Sequence, residues 1–144
     1  MSEKSSSTIV IDAPLADVQA ALFDIANYPE WLTSIKKADV LESDDQGRAI
    51  KAKLAIDAGM MKDRVTLDYD WSAAPASLSF SMDDADLLTQ MDGTYFIKAL
   101  DEDSTQVTYE LTVAVSLPVP SMMITKAQQQ TIDAALKELA ARVS

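Results

Sequence analysis

Three tyrosines, Tyr69, Tyr95 and Tyr109, are the residues of this sequence whose type suits polar work in an apolar setting. The chain has no histidine and no cysteine. That removes the commonest general base at neutral pH, thiolate nucleophiles, the usual catalytic triads and zinc-thiolate sites. Carboxylates are plentiful, but Asp57, Asp68, Asp70 and Asp92 fall on the outer face of predicted strands or in turns. A raised pKa is not expected there, and no paired catalytic acids stand out. Gly47, Gly59 and Gly93 lie far apart, so no phosphate-cradling loop is formed and nucleotide binding has no support. No residue is assigned a catalytic role, and the sequence calls for neither a cofactor nor a metal. The phenols remain. A buried hydroxyl needs a hydrogen-bond partner, so two or three on one inner surface can orient a ligand carbonyl or hydroxyl, although backbone groups or water satisfy them equally well.

The elements that position these phenols follow from periodicity. A short β-rich run, Thr8–Ile11, ends in Asp12-Ala13-Pro14, where Asp12 is placed to cap and Pro14 to enter the first turn of a helix. Leu15–Ile25 sets Val18, Ala21, Leu22 and Ile25 on one helical face; Asn27-Tyr28-Pro29 interrupts it before a second short helix over Glu30–Ser34. Beyond Ile35 the pattern alternates for about eighty residues, which predicts a meander of strands. These cover Ala38–Ser43, Arg48–Asp57, a segment through Val65, Leu67, Tyr69 and Trp71, another through Leu78, Phe80 and Met82, then Met91–Leu100 and Val107–Val115. Pro118 and Pro120 stop the last strand, and Ser121 is placed to cap a helix over Met122–Val143. Its stripe of Ile132, Ala135, Leu136, Leu139 and Val143 belongs to a rod about 30 Å long. The order β-α-α-β-β-β-β-β-β-α predicts an α+β fold: a curved antiparallel sheet of about seven strands, two short helices, and one long C-terminal helix covering the apolar face. Residues 1–7 are expected to be a disordered tail and residues 8–144 a single domain.

With 144 residues, 48% of them hydrophobic, the chain can bury one substantial core. Its formal net charge of −11 repels phosphate backbones and anionic headgroups, so nucleic acid is not expected as a partner. There is no apolar stretch long enough to span a bilayer, and the polar, serine-rich N-terminus is unlike a secretory signal. A soluble cytoplasmic protein without stable membrane insertion is expected, as monomer or homodimer.

Specific residues add a resemblance. Ile11-Asp12-Ala13-Pro14, Asp17-Val18, Leu22-Phe23-Asp24 and above all Tyr28-Pro29-Glu30-Trp31 resemble the opening of the START-like (SRPBCC) helix-grip superfamily. Gly93-Thr94-Tyr95 resembles its late Gly-x-aromatic strand, with Tyr95 where many relatives carry tryptophan. From Thr8 to Val143 the chain is similar to the polyketide cyclase/dehydratase and coenzyme Q-binding branch. The resemblance implies a deep cavity between sheet and C-terminal helix that receives lipids, hormones, polyketides or quinone-like molecules.

The expected cavity wall is the inward strand face: Leu54, Ile56, Leu67, Tyr69, Trp71, Phe80, Met82, Tyr95, Ile97, Tyr109 and Leu111. The same side chains equally suit a solid core. Apolar residues in connections, Met60, Met61, Leu87, Leu88, Val119, Met122 and Met123, suit a portal, and equally a dimer contact or loops tucked on the core. Tyr28 to Trp31 is read as structural, with a ligand-facing role as the lesser alternative; Gln128, Gln129 and Gln130 are read as a solvated face, with one amide turned inward as the lesser alternative. The expected function is binding or carriage of a small lipophilic metabolite. An enzyme of the polyketide cyclase/dehydratase kind is the alternative, but it needs inward acids that the pattern does not provide. An interaction module resembling the superfamily's ribosome-association toxins comes third, opposed by the acidic charge.

Overall fold

Buried and exposed side chains alternate through most of the chain's middle, the mark of strands that set one face on a core. The computed structural model describes residues 4–57, 62–116 and 118–144. In it these segments form β3 (Ala49–Asp57), β4 (Lys62–Asp70), β5 (Ser77–Ala85), β6 (Leu88–Ala99) and β7 (Thr105–Val115). β2 (Ile35–Ser43) precedes them, and β1 (Ser5–Ile11) returns to pair with β7. One antiparallel sheet of seven strands results, in the order β1-β7-β6-β5-β4-β3-β2. Between β1 and β2 lie α1 (Leu15–Phe23) and a 3₁₀ helix (Ile25–Glu30); α2 (Ser121–Val143) ends the chain.

The 23 residues of α2 make a rod about 34 Å long. Its buried residues Ile132, Ala135, Leu136 and Leu139 recur at helical spacing, so one stripe faces the sheet. The helix packs on β1, β7 and α1. Polar contacts fix it along its length: Gln128 Nε2 donates to Ser5 Oγ (2.9 Å), Ser7 Oγ to Asp133 (3.0 Å), and Thr33 Oγ1 to Glu138 (2.6 Å). These contacts draw α2 toward the β1 side and toward the loop before β2. The concave face of the strands between is left for side chains to fill.

Several local expectations are corrected. β1 starts at Ser5, not Thr8, because Ser5 and Ser7 find partners on α2 as well as in the ladder with β7. Asp12 and Ser121 do not cap. The residue before each helix is a proline, Pro14 or Pro120, whose carbonyl accepts the first N–H groups: Asp17 and Val18 in one case, Met123 and Ile124 in the other. The second short helix is the 3₁₀ segment Ile25–Glu30, not Glu30–Ser34. Pro29 sits inside it at no cost, because the turn is closed by Asn27 N–H to Asp24 and by Trp31 and Leu32 N–H to Tyr28. β2 begins at Ile35, three residues earlier than expected, with irregular register at Ile35/Lys37 and from Val40 to Ser43. Those bulges break the alternation that would have revealed it. β6 begins at Leu88, so Leu88 is a buried strand residue and not part of an exposed loop. Gln128 is 1% exposed, so of the two readings of the glutamine run the amide turned inward holds at this position and the solvated face does not.

Candidate functional site

Strand register brings the aromatic residues together. Tyr69 of β4 pairs with Phe80 of β5, Phe80 with Gly93 of β6, and Tyr95 of β6 with Tyr109 of β7. Neighbouring strands lie about 4.8 Å apart, so cross-strand partners on one face stand side by side. The Tyr95 and Tyr109 rings stack at 4.1 Å and 14°, the Phe80 centroid is 6.5 Å from Tyr109, and Tyr69 is 5.9 Å from Phe80. Gly93 is required in this row. A Cβ there would fall 2.3 Å from Phe80 Cζ, so the phenylalanine ring lies across the bare glycine. Tyr28 enters from the 3₁₀ helix, its hydroxyl donating to the Leu22 carbonyl and its ring edge-on to Trp31 at 5.5 Å.

A cavity of about 50 Å³ lies over this row, beneath α2. Of the expected wall, Leu54, Ile56, Leu67, Tyr69, Phe80, Tyr95 and Tyr109 line it. Trp71, Met82, Ile97 and Leu111 do not. Trp71 lies just past the end of β4, donating to the Ala49 carbonyl (2.8 Å) with Phe23 of α1 edge-on at 5.2 Å. Met82 is only partly buried, beside the β4–β5 bulge at Thr66/Leu67, while Ile97 and Leu111 belong to the solid core. The wall also includes Tyr28, for which a ligand-facing role is the lesser of the two sequence readings, and Leu32, Ser34, Ile35, Leu78, Met91, Thr131 and Ala135, which lie outside the expected wall. Leu78 and Ala135 sat on faces already recognised as apolar, and Met91 continues the inward alternation of β6. Ser34 and Ile35 lie in a turn and a bulged strand that carry no periodic signal.

Among the described residues no charged side chain lines this cavity. Burial pushes Tyr28 and Tyr95 well above the ordinary phenol range and raises Tyr69 and Tyr109 too, with repulsion between neighbouring phenols adding to the first three. The stacked Tyr95 and Tyr109 phenols also act on each other, which raises the first and lowers the second. All four are therefore neutral across the physiological range: hydrogen-bond donors, not bases or nucleophiles. Among the described residues the Tyr69 hydroxyl has no hydrogen-bond partner, yet no buried polar side-chain atom is unsatisfied, so this oxygen keeps some accessible surface, and Tyr69 is part of the cavity wall.

The expected portal residues assemble at the other end of α2. Leu87, Leu88, Val119 and Met123 border a second hollow of about 140 Å³ with Lys62, Val113, Val115, Ile124, Ala127 and Gln128. Met122 stands outside it, 81% exposed. Met60 and Met61 lie outside the described residues. Among the described residues no cluster of carboxylates suits a metal ion, and no helix is long and apolar enough to cross a membrane.

Comparison with known proteins agrees with this architecture. A START superfamily protein from Mycobacterium smegmatis superposes with a TM-score of 0.91 at 25% identity, covering 97% of this chain and 96% of that one. A protein from Thermus thermophilus gives a TM-score of 0.83 at 19% identity, with 97% and 96% covered. The Zhui aromatase/cyclase from Streptomyces sp. R1128 gives 0.80 at 15% identity, with 98% and 93% covered; at such identity the likeness concerns the fold alone. No curated protein sequence matches the chain. The family model described as polyketide cyclase / dehydrase and lipid transport matches residues 2–144. Sheet, gripping helix and family model coincide over the whole described chain, and the protein belongs to the polyketide cyclase/dehydrase and lipid transport family, with the START-like helix-grip fold.

Proposed function

We propose that this protein binds and carries a small, neutral, lipophilic molecule beneath α2 without changing it chemically. The observation that carries this reading is the Tyr69 hydroxyl: a neutral donor, unpartnered among the described residues, on the wall of a cavity that no charged side chain lines among those residues. Such a group is suited to donate to one carbonyl or hydroxyl of a guest and to leave the rest to apolar contact. A cyclase or dehydratase mechanism needs a group that gains and loses a proton near neutrality, and the wall has none, since burial holds every phenol protonated.

The cavity, at about 50 Å³, is smaller than the roughly 300 Å³ at which ordinary ligand pockets begin. Binding therefore moves side chains of the wall. A panel of ketones, quinones, polyphenols and fatty acids, read by thermal shift, tests the proposal, together with native mass spectrometry of protein taken from its own host. A retained neutral molecule, or a rise in melting temperature that Tyr69→Phe weakens about fivefold in affinity, is expected, as for loss of one hydrogen bond of about 1 kcal/mol. If nothing in the panel shifts the melting temperature and nothing co-purifies, the carrier reading falls.

A further inference from the structure

Two compartments lie beneath α2, and their walls differ in chemistry. The inner one holds the phenols and Phe80. The outer one is aliphatic, bordered by Leu87, Val115, Val119, Met123 and Ile124, with Lys62 at its edge. Residues adjacent in strand and helix line the two. Met91 faces the inner space, while its cross-strand partner Val113 and its strand neighbour Leu88 face the outer. On α2, Gln128 borders the outer space and Thr131 the inner, less than one helical turn apart.

These bordering residues differ in freedom. Gln128 is held, its Oε1 accepting from Val113 N–H (2.6 Å) and its Nε2 donating to Ser5 Oγ (2.9 Å). Met91 is unbranched and flexible, the kind of side chain that changes rotamer at small cost. We propose, resting on the carrier reading above, that the compartments are two halves of one site joined when Met91 swings aside. Its ligand carries a carbonyl-bearing ring, innermost against Tyr69 and the aromatic row, and an unbranched saturated tail that ends among the aliphatic residues of the outer half.

The reverse orientation, with an acid head on Lys62 and the tail inward, is disfavoured by the same walls. Lys62 is 70% exposed and already lies 3.7 Å from Asp57, and an anion would approach against a net charge of −11. A tail pushed inward would also leave the Tyr69 hydroxyl facing hydrocarbon.

Alkyl phenyl ketones from acetophenone to octanophenone, titrated calorimetrically into the intact protein, test this. Affinity is expected to rise about fourfold per methylene until the outer half is full, then level off. Ala127→Phe, or Val119→Trp should that variant fail to fold, fills the outer half, and octanophenone then binds no tighter than acetophenone. Tyr69→Phe weakens the ketones about fivefold and leaves alkylbenzenes of equal length unaffected. Acetophenone binding without any gain from longer tails overturns the joined site while the carrier reading stands. No binding by any ketone or alkylbenzene overturns both. Nonanoate binding tighter than the ketones, weakened by Lys62→Ala but not by Tyr69→Phe, overturns the orientation.

Discussion

Every tyrosine of the chain is buried in or beside the cavity, which makes the phenols report on the fold as a whole. Their pKa values in the folded state stand above the unfolded value of 10.0, so the native protein keeps protons that the unfolded chain releases. The stability this contributes is complete at neutral pH and is lost as pH rises past 10, by up to about 1.4 kcal/mol per pH unit for each phenol. Tyrosinate absorbance and circular dichroism are expected to change together in one steep alkaline transition. Phenols that titrate near pH 10 while the fold persists would contradict their burial. Gly93 makes a second prediction at this scale. In Gly93→Ala the new methyl drives the Phe80 ring up toward Tyr69 and Tyr109, into the cavity. Overpacking of this kind costs about 1–3 kcal/mol in denaturant unfolding. Phe80→Leu in the same chain should recover much of the loss; a Gly93→Ala protein as stable as its parent would show that the ring does not lie there.

The elements are tied together by buried polar groups more than by their own propensities. Asp63, 9% exposed, accepts four backbone N–H groups through its two oxygens: Arg64 (2.7 Å), Asp86 (3.0 Å), Leu87 (3.0 Å) and Leu88 (2.8 Å). One carboxylate at the start of β4 thus holds the turn between β5 and β6 and, with it, the rim of the outer compartment. Asp63→Asn keeps the shape but turns an amide NH₂ toward donors, so a loss of about 1–3 kcal/mol is expected, with faster hydrogen exchange at Asp86 to Leu88. Unchanged exchange there would mean the turn stands by itself. None of this was visible in the sequence, where Asp63 is one acid among many. Periodicity does reveal β3 to β7 and α2, because in each the buried side chains recur at strand or helix spacing. It fails where the backbone departs from regularity: at the bulges of β2, at the proline-opened helices, and at Pro29 inside a 3₁₀ turn. Gln128 was hidden for another reason, since in a run of three glutamines only the helix's docking angle selects which one turns inward.

At the level of the molecule, the sequence shows which strand face is apolar but not where along it the space lies. That depends on α2 being drawn toward β1 by Ser5 and Ser7, and on Phe23 of α1 covering Trp71 just past the end of β4. The cavity volume, set by how Phe80 lies on Gly93, is finer still. Charge, by contrast, is read directly from composition and acts on everything at once. The ion pairs among the described residues are partly or largely exposed, including those of Lys51 with Glu42, Asp68 and Asp83, and pairs of that kind contribute little each. Against them stands the mutual repulsion of a −11 surface. The Debye length falls from about 30 Å at 0.01 M salt to about 3 Å at 1 M, so added sodium chloride screens the long-range repulsion before it weakens close pairs. The melting temperature is therefore expected to rise with sodium chloride, most steeply at the low end. A ketone bound through Tyr69 and apolar contact carries no charge, and its affinity should stay level over the same range, whereas an anionic ligand would bind more tightly as the field is screened. A melting temperature that falls with salt would show that local pairing, not net repulsion, governs this acidic fold.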